Sequence, residues 1–132
     1  MSRILLDTSA YSAFLRGHSG VVQSIRQSEE ISLNPVILGE TLAGFRKGNR
    51  QRRNEEALEK FLSSPRVNVV DINAETSERY AIILDSLRRA GTPVASNDIW
   101  IAASAMQFGF RLVTFDTDFE RIPHILLELH EA

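Results

Sequence analysis

No cysteine occurs among the 132 residues, so neither a disulfide framework nor a thiolate metal site can be built. That absence agrees with a reducing compartment. Long apolar runs are missing too. None approaches the ~18 residues of a membrane span. The stub Ile4-Leu5-Leu6 is too short for the apolar core of a secretory signal. The expectation is a cytoplasmic protein without a membrane partner. Internal repeats, low-complexity tracts and linkers are also absent, and the length suits one domain over residues 1–132 with a real core. Finally, there is no excess of positive charge: the net charge is −2. Taken alone, that argues against a nucleic-acid binder. A hydrophobic content of 43% and a charged content of 24% are those of a soluble globular chain.

What the chain does have is acids set beside core-type sequence. Asp7 follows Ile4-Leu5-Leu6, Glu40 lies within the apolar stretch from Val36 to Phe45, Asp98 opens Ile99-Trp100-Ile101-Ala102-Ala103, and Asp116 follows Leu112-Val113-Thr114-Phe115. Carboxylates are seldom buried unless paired or bound to a metal. Four of them at such places suggest one divalent-metal site assembled from distant segments. With these four set aside, 15 basic residues face 13 acidic ones, and the rest of the chain carries +2. Much of that charge is local, in Arg46, Lys47, Arg50, Arg52 and Arg53.

Periodicity and stop signals predict alternating strands and helices. Strands are expected at 3–6, 31–33, 67–70, 111–115 and about 125–129. Thr8 or Ser9 is expected to cap a first helix carrying Tyr11, Phe14 and Leu15 and stopping near Gly17. A short second helix carries Val21, Val22 and Ile25. Asn34-Pro35 is a helix start, and Leu38, Leu42 and Phe45 recur behind it at helical spacing until Gly48-Asn49. Residues 46–54 read as an exposed loop or helix end. Leu58, Phe61 and Leu62 mark another helix. One more runs from about Thr76 to Gly91, and a last from Asn97-Asp98 to Gly109. This order implies an α/β fold, a mainly parallel central sheet with helices on both faces. In such sheets ligands gather beyond the carboxyl ends of the strands, where Asp7, Asp98 and Asp116 are expected. Small Ala43 and Gly44 beside Glu40 would let another element approach. An oxygen-only donor set selects hard cations such as Mg2+ or Mn2+.

Each acid also has a plainer explanation. Asp7 could cap a helix, Asp98 could favour a helix dipole, Asp116 in Asp-Thr-Asp could serve a turn, and Glu40 could pair with Arg46. Trp100 could stack on a base, but its apolar neighbours favour packing. His18, His124 and His130 are scattered and receive no catalytic role.

The chain resembles a PIN domain, most closely a VapC-type toxin ribonuclease of a type II toxin–antitoxin system. The matching segments are Ile4-Leu5-Leu6-Asp7-Thr8-Ser9, the helix from Asn34 to Gly44 with Glu40, Asn97-Asp98-Ile99-Trp100-Ile101-Ala102-Ala103, and Leu112-Val113-Thr114-Phe115-Asp116-Thr117-Asp118-Phe119. The ordered set carries the resemblance; no single motif does. It implies a PIN-like three-layer sandwich and an Mg2+ or Mn2+-dependent endoribonuclease. The implied catalytic acids and metal ligands are Asp7, Glu40, Asp98 and Asp116, with Asp118 competing for the fourth place. Thr114 takes the position of the family's hydroxyl. Thr8, Ser9 and Asn97 are supporting residues. Water activated by metal would attack the phosphodiester in line. The resemblance further implies an RNA substrate, a VapB-type antitoxin docked on the first helical region and the Glu40 helix, and a homodimer. Lys47, Arg50, Arg52 and Arg53, with Arg46, then become candidates for contacting the RNA backbone, or else a solvated loop.

Other classes fit less well. A phosphate-receiver domain needs a Lys after the last sheet strand, and none follows Phe108. A small phosphoesterase of the aspartyl-phosphate kind needs an Asp-x-Asp at Asp7, where Asp7-Thr8-Ser9 stands. The remaining alternative is a PIN-like partner-binding regulatory module with weak or no nuclease activity.

Overall fold

Ile4, Leu5 and Leu6 are completely buried, the pattern of a strand covered on both faces rather than of an alternating one. They form β1 (Arg3–Leu6), the centre of a five-stranded sheet. In the computed structural model, which describes residues 2–132, the sheet order is β3-β2-β1-β4-β5 and every pairing is parallel. The other strands are β2 (Glu30–Leu33), β3 (Val67–Val69), β4 (Arg111–Thr114) and β5 (Leu126–Leu129). Six α-helices connect them: α1 (Thr8–Leu15), α2 (Ser19–Gln27), α3 (Pro35–Lys47), α4 (Gln51–Leu62), α5 (Ala74–Ala90) and α6 (Ser96–Phe108). A 3-10 turn over Thr117–Arg121 follows β4 and was not expected from periodicity. The sheet is thus wholly parallel, flanked by helices, as the α/β reading required. From β1 the chain builds outward through β2 and β3, then returns to the other side of β1 with β4 and β5. The order therefore switches between β1 and β4, the crevice where parallel sheets bind ligands.

Local chemistry explains most element ends. Asn34, fully buried, caps α3 by accepting from Ile37 N, with Pro35 in the first turn. Asn73 and Thr76 form a reciprocal capping box on α5. Gly91 and Gly109 end α5 and α6 at φ of 67° and 70°, a left-handed conformation that glycine adopts without Cβ strain.

Several expectations are corrected. Asp7, not Thr8 or Ser9, caps α1; the two hydroxyls lie in the first turn and donate to Glu40 and to Asp7 itself. On α3 the buried stripe is Ile37, Thr41 and Phe45, while Leu42 is 40% exposed. Three residues at a spacing of four face the core, which turns Leu42 outward. Ala43 and Gly44 are also exposed, and no element closes on Gly44. Residues 51–54 are the first turn of α4, so the break between α3 and α4 is only Gly48, Asn49 and Arg50. Trp100, as its apolar neighbours suggested, packs against Tyr80 of α5, with ring centroids 4.3 Å apart. His18 and His130 are not scattered: their rings lie 5.8 Å apart and both meet Phe115. Among the described residues no helix is long and apolar enough to cross a membrane.

Candidate metal centre

The site begins with Asp7, where β1 ends and α1 starts. The residue is only 5% exposed, and its carboxylate is held from three directions. Oδ1 accepts from Ser9 Oγ at 2.7 Å and from Ala10 N at 2.8 Å, and Oδ2 accepts from Thr114 Oγ1 at 2.5 Å. Thr114, the last residue of β4, is itself fully buried, and its hydroxyl also accepts from Asp116 N at 3.0 Å. Ser9 Oγ in turn accepts from Phe115 N at 3.1 Å. One knot of hydroxyls therefore ties the end of β1 to the end of β4. Asp7 caps α1 and at the same time joins this knot, so capping does not exclude a place for it in a site.

Glu40 enters from α3. Thr8 Oγ1 donates to its Oε1 at 2.6 Å, and Asn97 Nδ2 donates to its Oε2 at 3.2 Å. No ion pair joins it to Arg46 among the described residues. Asn97 and Asp98 occupy the first turn of α6, so Asn97 orients Glu40 while Asp98 stands at the helix N-terminus. Asp116 caps the 3-10 turn by accepting from Asp118 N at 2.9 Å. Asp118 leans the other way, 3.6 Å from Arg121 Nη1. Of the two competing acids, Asp116 is the one without a basic partner.

The electrostatics show that these acids share a space. The Asp98 carboxyl is pushed up to about 6, first by burial and then by the charges of Asp116, Glu40, Asp7 and Asp118. Asp7 is also raised. Burial outweighs the lowering effect of its bonds from Thr114, Ser9 and Ala10, and Asp116 adds repulsion. Among the described residues, Asp7, Glu40, Asp98 and Asp116 have no Lys, Arg or His partner, although the same chain pairs Glu30, Glu56, Glu75, Asp85 and Glu128. Carboxylates gathered without a basic partner are a donor set suited to a hard divalent cation. The arrangement is open. Among the described residues no three such groups already surround one point where an ion would be held. The oxygen-only donor chemistry fits a hard cation.

The basic residues lie elsewhere. Lys47 stands at the end of α3, about 10 Å along the helix from Glu40 at 1.5 Å per residue. Arg50, Arg52 and Arg53 line a shallow cavity with Asn49, Gln51 and Glu56 at the start of α4. Arg52 pairs with Glu56 at 3.4 Å, both well exposed. Sequence reasoning missed two contributors to the site: the contact of buried Asn34 with α6, and the 3-10 turn that aims Asp116. Asp118-Phe119 was the only local signal for the latter.

Comparison with known proteins places this geometry in context. The model of the family described as PIN domain matches residues 4–125. Among curated proteins, the chain is 28% identical over 108 residues to a protein named Ribonuclease VapC2 from Rickettsia felis, covering 81% of this chain and 79% of that one. It is 32% identical over 102 residues to a tRNA(fMet)-specific endonuclease VapC from Salmonella typhimurium, covering 76% of each. Among solved structures, DNA-bound VapBC from Salmonella typhimurium superposes with a TM-score of 0.85 at 28% identity, over 97% of this chain and 98% of that chain. VapBC2 from Rickettsia felis bound to a promoter DNA fragment gives 0.84 at 25% identity, over 97% and 98%.

Proposed function

The chain belongs to the PIN-domain family, and from that premise we propose that it is a divalent-metal-dependent endoribonuclease, the toxin of a VapBC-type pair. The observation that carries this reading is the gathering of Asp7, Glu40, Asp98 and Asp116 at the β1–β4 switch point without a basic partner. Relatives named as ribonucleases, one of them specific for a tRNA, support structured RNA as the substrate class.

In this reading Asp7, Glu40, Asp98 and Asp116 hold Mg2+ or Mn2+. The ion supplies Lewis acidity, activating water and neutralising charge on the phosphate undergoing cleavage. The chain's own residues do the rest. Thr114 and Ser9 fix both oxygens of Asp7, so that its carboxylate cannot rotate away from the crevice. Thr8 and Asn97 do the same for Glu40. Burial of Asp7 excludes water from one side of the crevice and strengthens each electrostatic contact there. Incubating the protein with structured RNA and Mg2+, Mn2+ or EDTA tests the proposal. Cleavage is expected with either metal and none with chelator; cleavage undiminished by chelator would overturn the metal assignment.

Metal is also expected to stabilise the fold. Asp7 and Asp98 have raised carboxyls, so their contribution to stability is fully present at low pH, below the ordinary value of 3.8, and is lost as pH rises through the folded value, about 6 for Asp98. Metal-free protein should therefore weaken over that window. Added Mn2+ should restore it, by about 2.7 kcal/mol at a hundredfold excess over Kd. Thermal melts with EDTA and with Mn2+ should diverge more at pH 7 than at pH 5. Coincident midpoints at both would argue against a clustered site.

Lys47, Arg50, Arg52 and Arg53 are proposed to steer RNA by its backbone. Reversing the charge at Arg50, Arg52 and Arg53 should weaken RNA binding and flatten its salt dependence, because each lost phosphate contact lowers the slope by about 0.7–0.9. An unchanged slope would return this segment to an ordinary solvated helix start. The partner is a VapB-type antitoxin, in keeping with the VapBC complexes among the structural relatives. The first helical region and the Glu40 helix are the surface proposed for it, with an apolar groove lined by Phe14, Leu15, Ala57, Lys60 and Phe61 beginning on the same α1, and the toxin is taken to act as a homodimer. Co-purification with the product of a short adjacent reading frame would test the pairing.

A further inference from the structure

Asn34 does more than cap α3. Its side chain is completely buried, and so is that of Ser104, on the inner face of α6. While Oδ1 accepts from Ile37 N, the amide Nδ2 points the other way. It donates to Ser104 Oγ at 3.0 Å and approaches Trp100 O at 3.5 Å. A single buried amide thus closes the start of the helix that carries Glu40 and fastens it to the helix that carries Asp98.

The second point of attachment lies at the crevice, where Asn97 Nδ2 meets Glu40 Oε2. The early end of α3 meets the later part of α6, and Glu40 meets the first turn of α6. The two helices therefore pass in opposite senses, joined by two polar ties. On each helix the ties are six or seven residues apart, about 9–10 Å. Two separated ties resist both sliding and rotation of one helix past the other, which a single tie or a purely apolar contact does not. Sliding along this contact is the motion that would change the distance between Glu40 and Asp98. The outer tie is water-exposed and weak; the inner one is sealed, so breaking it leaves a buried amide with only the long contact to Trp100 O.

We propose that the buried Asn34–Ser104 hydrogen bond is a positioning device that sets the spacing of Glu40 and Asp98 for the divalent cation. This rests on the reading of those acids as metal ligands. Neither Asn34 nor Ser104 touches substrate or metal; both act through the helices they join.

The test separates the tie from the cap. Ser also caps helices well but is too short to reach α6, so Asn34→Ser keeps the first role and loses the second. Ser104→Ala removes the acceptor with the smallest possible change. Thr76→Ala, which breaks the capping box of α5 and its bond to Gln107, is the control for loss of stability alone. Mn2+ binding is read from the electron paramagnetic resonance signal of the free ion, without RNA. Asn34→Ser and Ser104→Ala should each raise the Mn2+ Kd about tenfold. The double variant should be no worse than either single one, because both remove the same bond. Thr76→Ala should stay within about twofold of wild type. Unchanged Kd in Asn34→Ser and Ser104→Ala, beside a wild type that binds, overturns the positioning role alone, as do equal losses in Thr76→Ala. A wild type that binds no Mn2+ overturns the metal reading and this proposal with it.

Discussion

Asp7→Asn should reduce RNA cleavage at least a hundredfold and at the same time raise the melting temperature of the metal-free protein. The two effects have one cause. Asn is isosteric with Asp and its Oδ1 can still accept from Ala10 N and Ser9 Oγ, so the cap of α1 and the Ser9 link survive, while its Nδ2 can only donate to Thr114 Oγ1 and that bond must reverse. What disappears is a negative charge buried against Asp116 and Asp98, whose folded state already resists ionisation. Removing it relieves repulsion in the metal-free protein and removes a ligand from the proposed metal-bound one. Loss of a single group that acts on developing charge commonly costs 10²–10³ in rate. Asp98→Asn should behave alike. Steady-state cleavage of a structured RNA in Mg2+, with melts of the same samples in EDTA, checks both halves. Wild-type rates in both variants would refute the assigned site; lost activity with a collapsed fold would mean that Asp7 serves the structure alone.

The second large effect concerns Phe119. This ring is fully buried in the 3-10 turn that follows β4, one residue beyond Asp118 and three beyond Asp116. Asp116 and Ile122 bound the turn, and Phe119 is the anchor that seats it on the core. Phe119→Ala should cost about 3–5 kcal/mol through lost burial and the cavity left behind. In a chain of this size that lowers Tm on the order of 10–20 °C. Denaturant melts measure it directly. A loss below about 1 kcal/mol would mean that the turn is a loose appendage and does not fix Asp116.

Why some of this was legible beforehand, and some not, follows from the residues. The strands of a parallel sheet are buried on both faces, so Ile4-Leu5-Leu6 and Leu112-Val113-Thr114 stand out as short apolar blocks and the acids at their ends with them. Asn34-Pro35, Gly91 and Gly109 mark helix ends by their own backbone preferences. The face of α3 was misread because Leu38, Leu42 and Phe45 make as good a helical stripe as Ile37, Thr41 and Phe45; hydrophobicity cannot show that the buried set includes a threonine. The start of α4 was hidden because Gln51, Arg52 and Arg53 are polar, and carry no apolar period. The pairing of His18 with His130 joins residues far apart in sequence and leaves no local trace. The bond between Asn34 and Ser104 is of the same kind: each residue looks ordinary alone, and only the crossing of α3 and α6 gives the pair its meaning.

The central claim is that carboxylates from four distant segments form one divalent-metal site at the switch between β1 and β4. Crystals of the protein grown with Mn2+ and measured for manganese anomalous scattering test it most directly. The account predicts a manganese peak within ligand distance of Asp7, Glu40 and Asp98, with Asp116 beside it directly or through water. A peak bound elsewhere, or none at this crevice in protein that cleaves RNA with Mn2+, would contradict it.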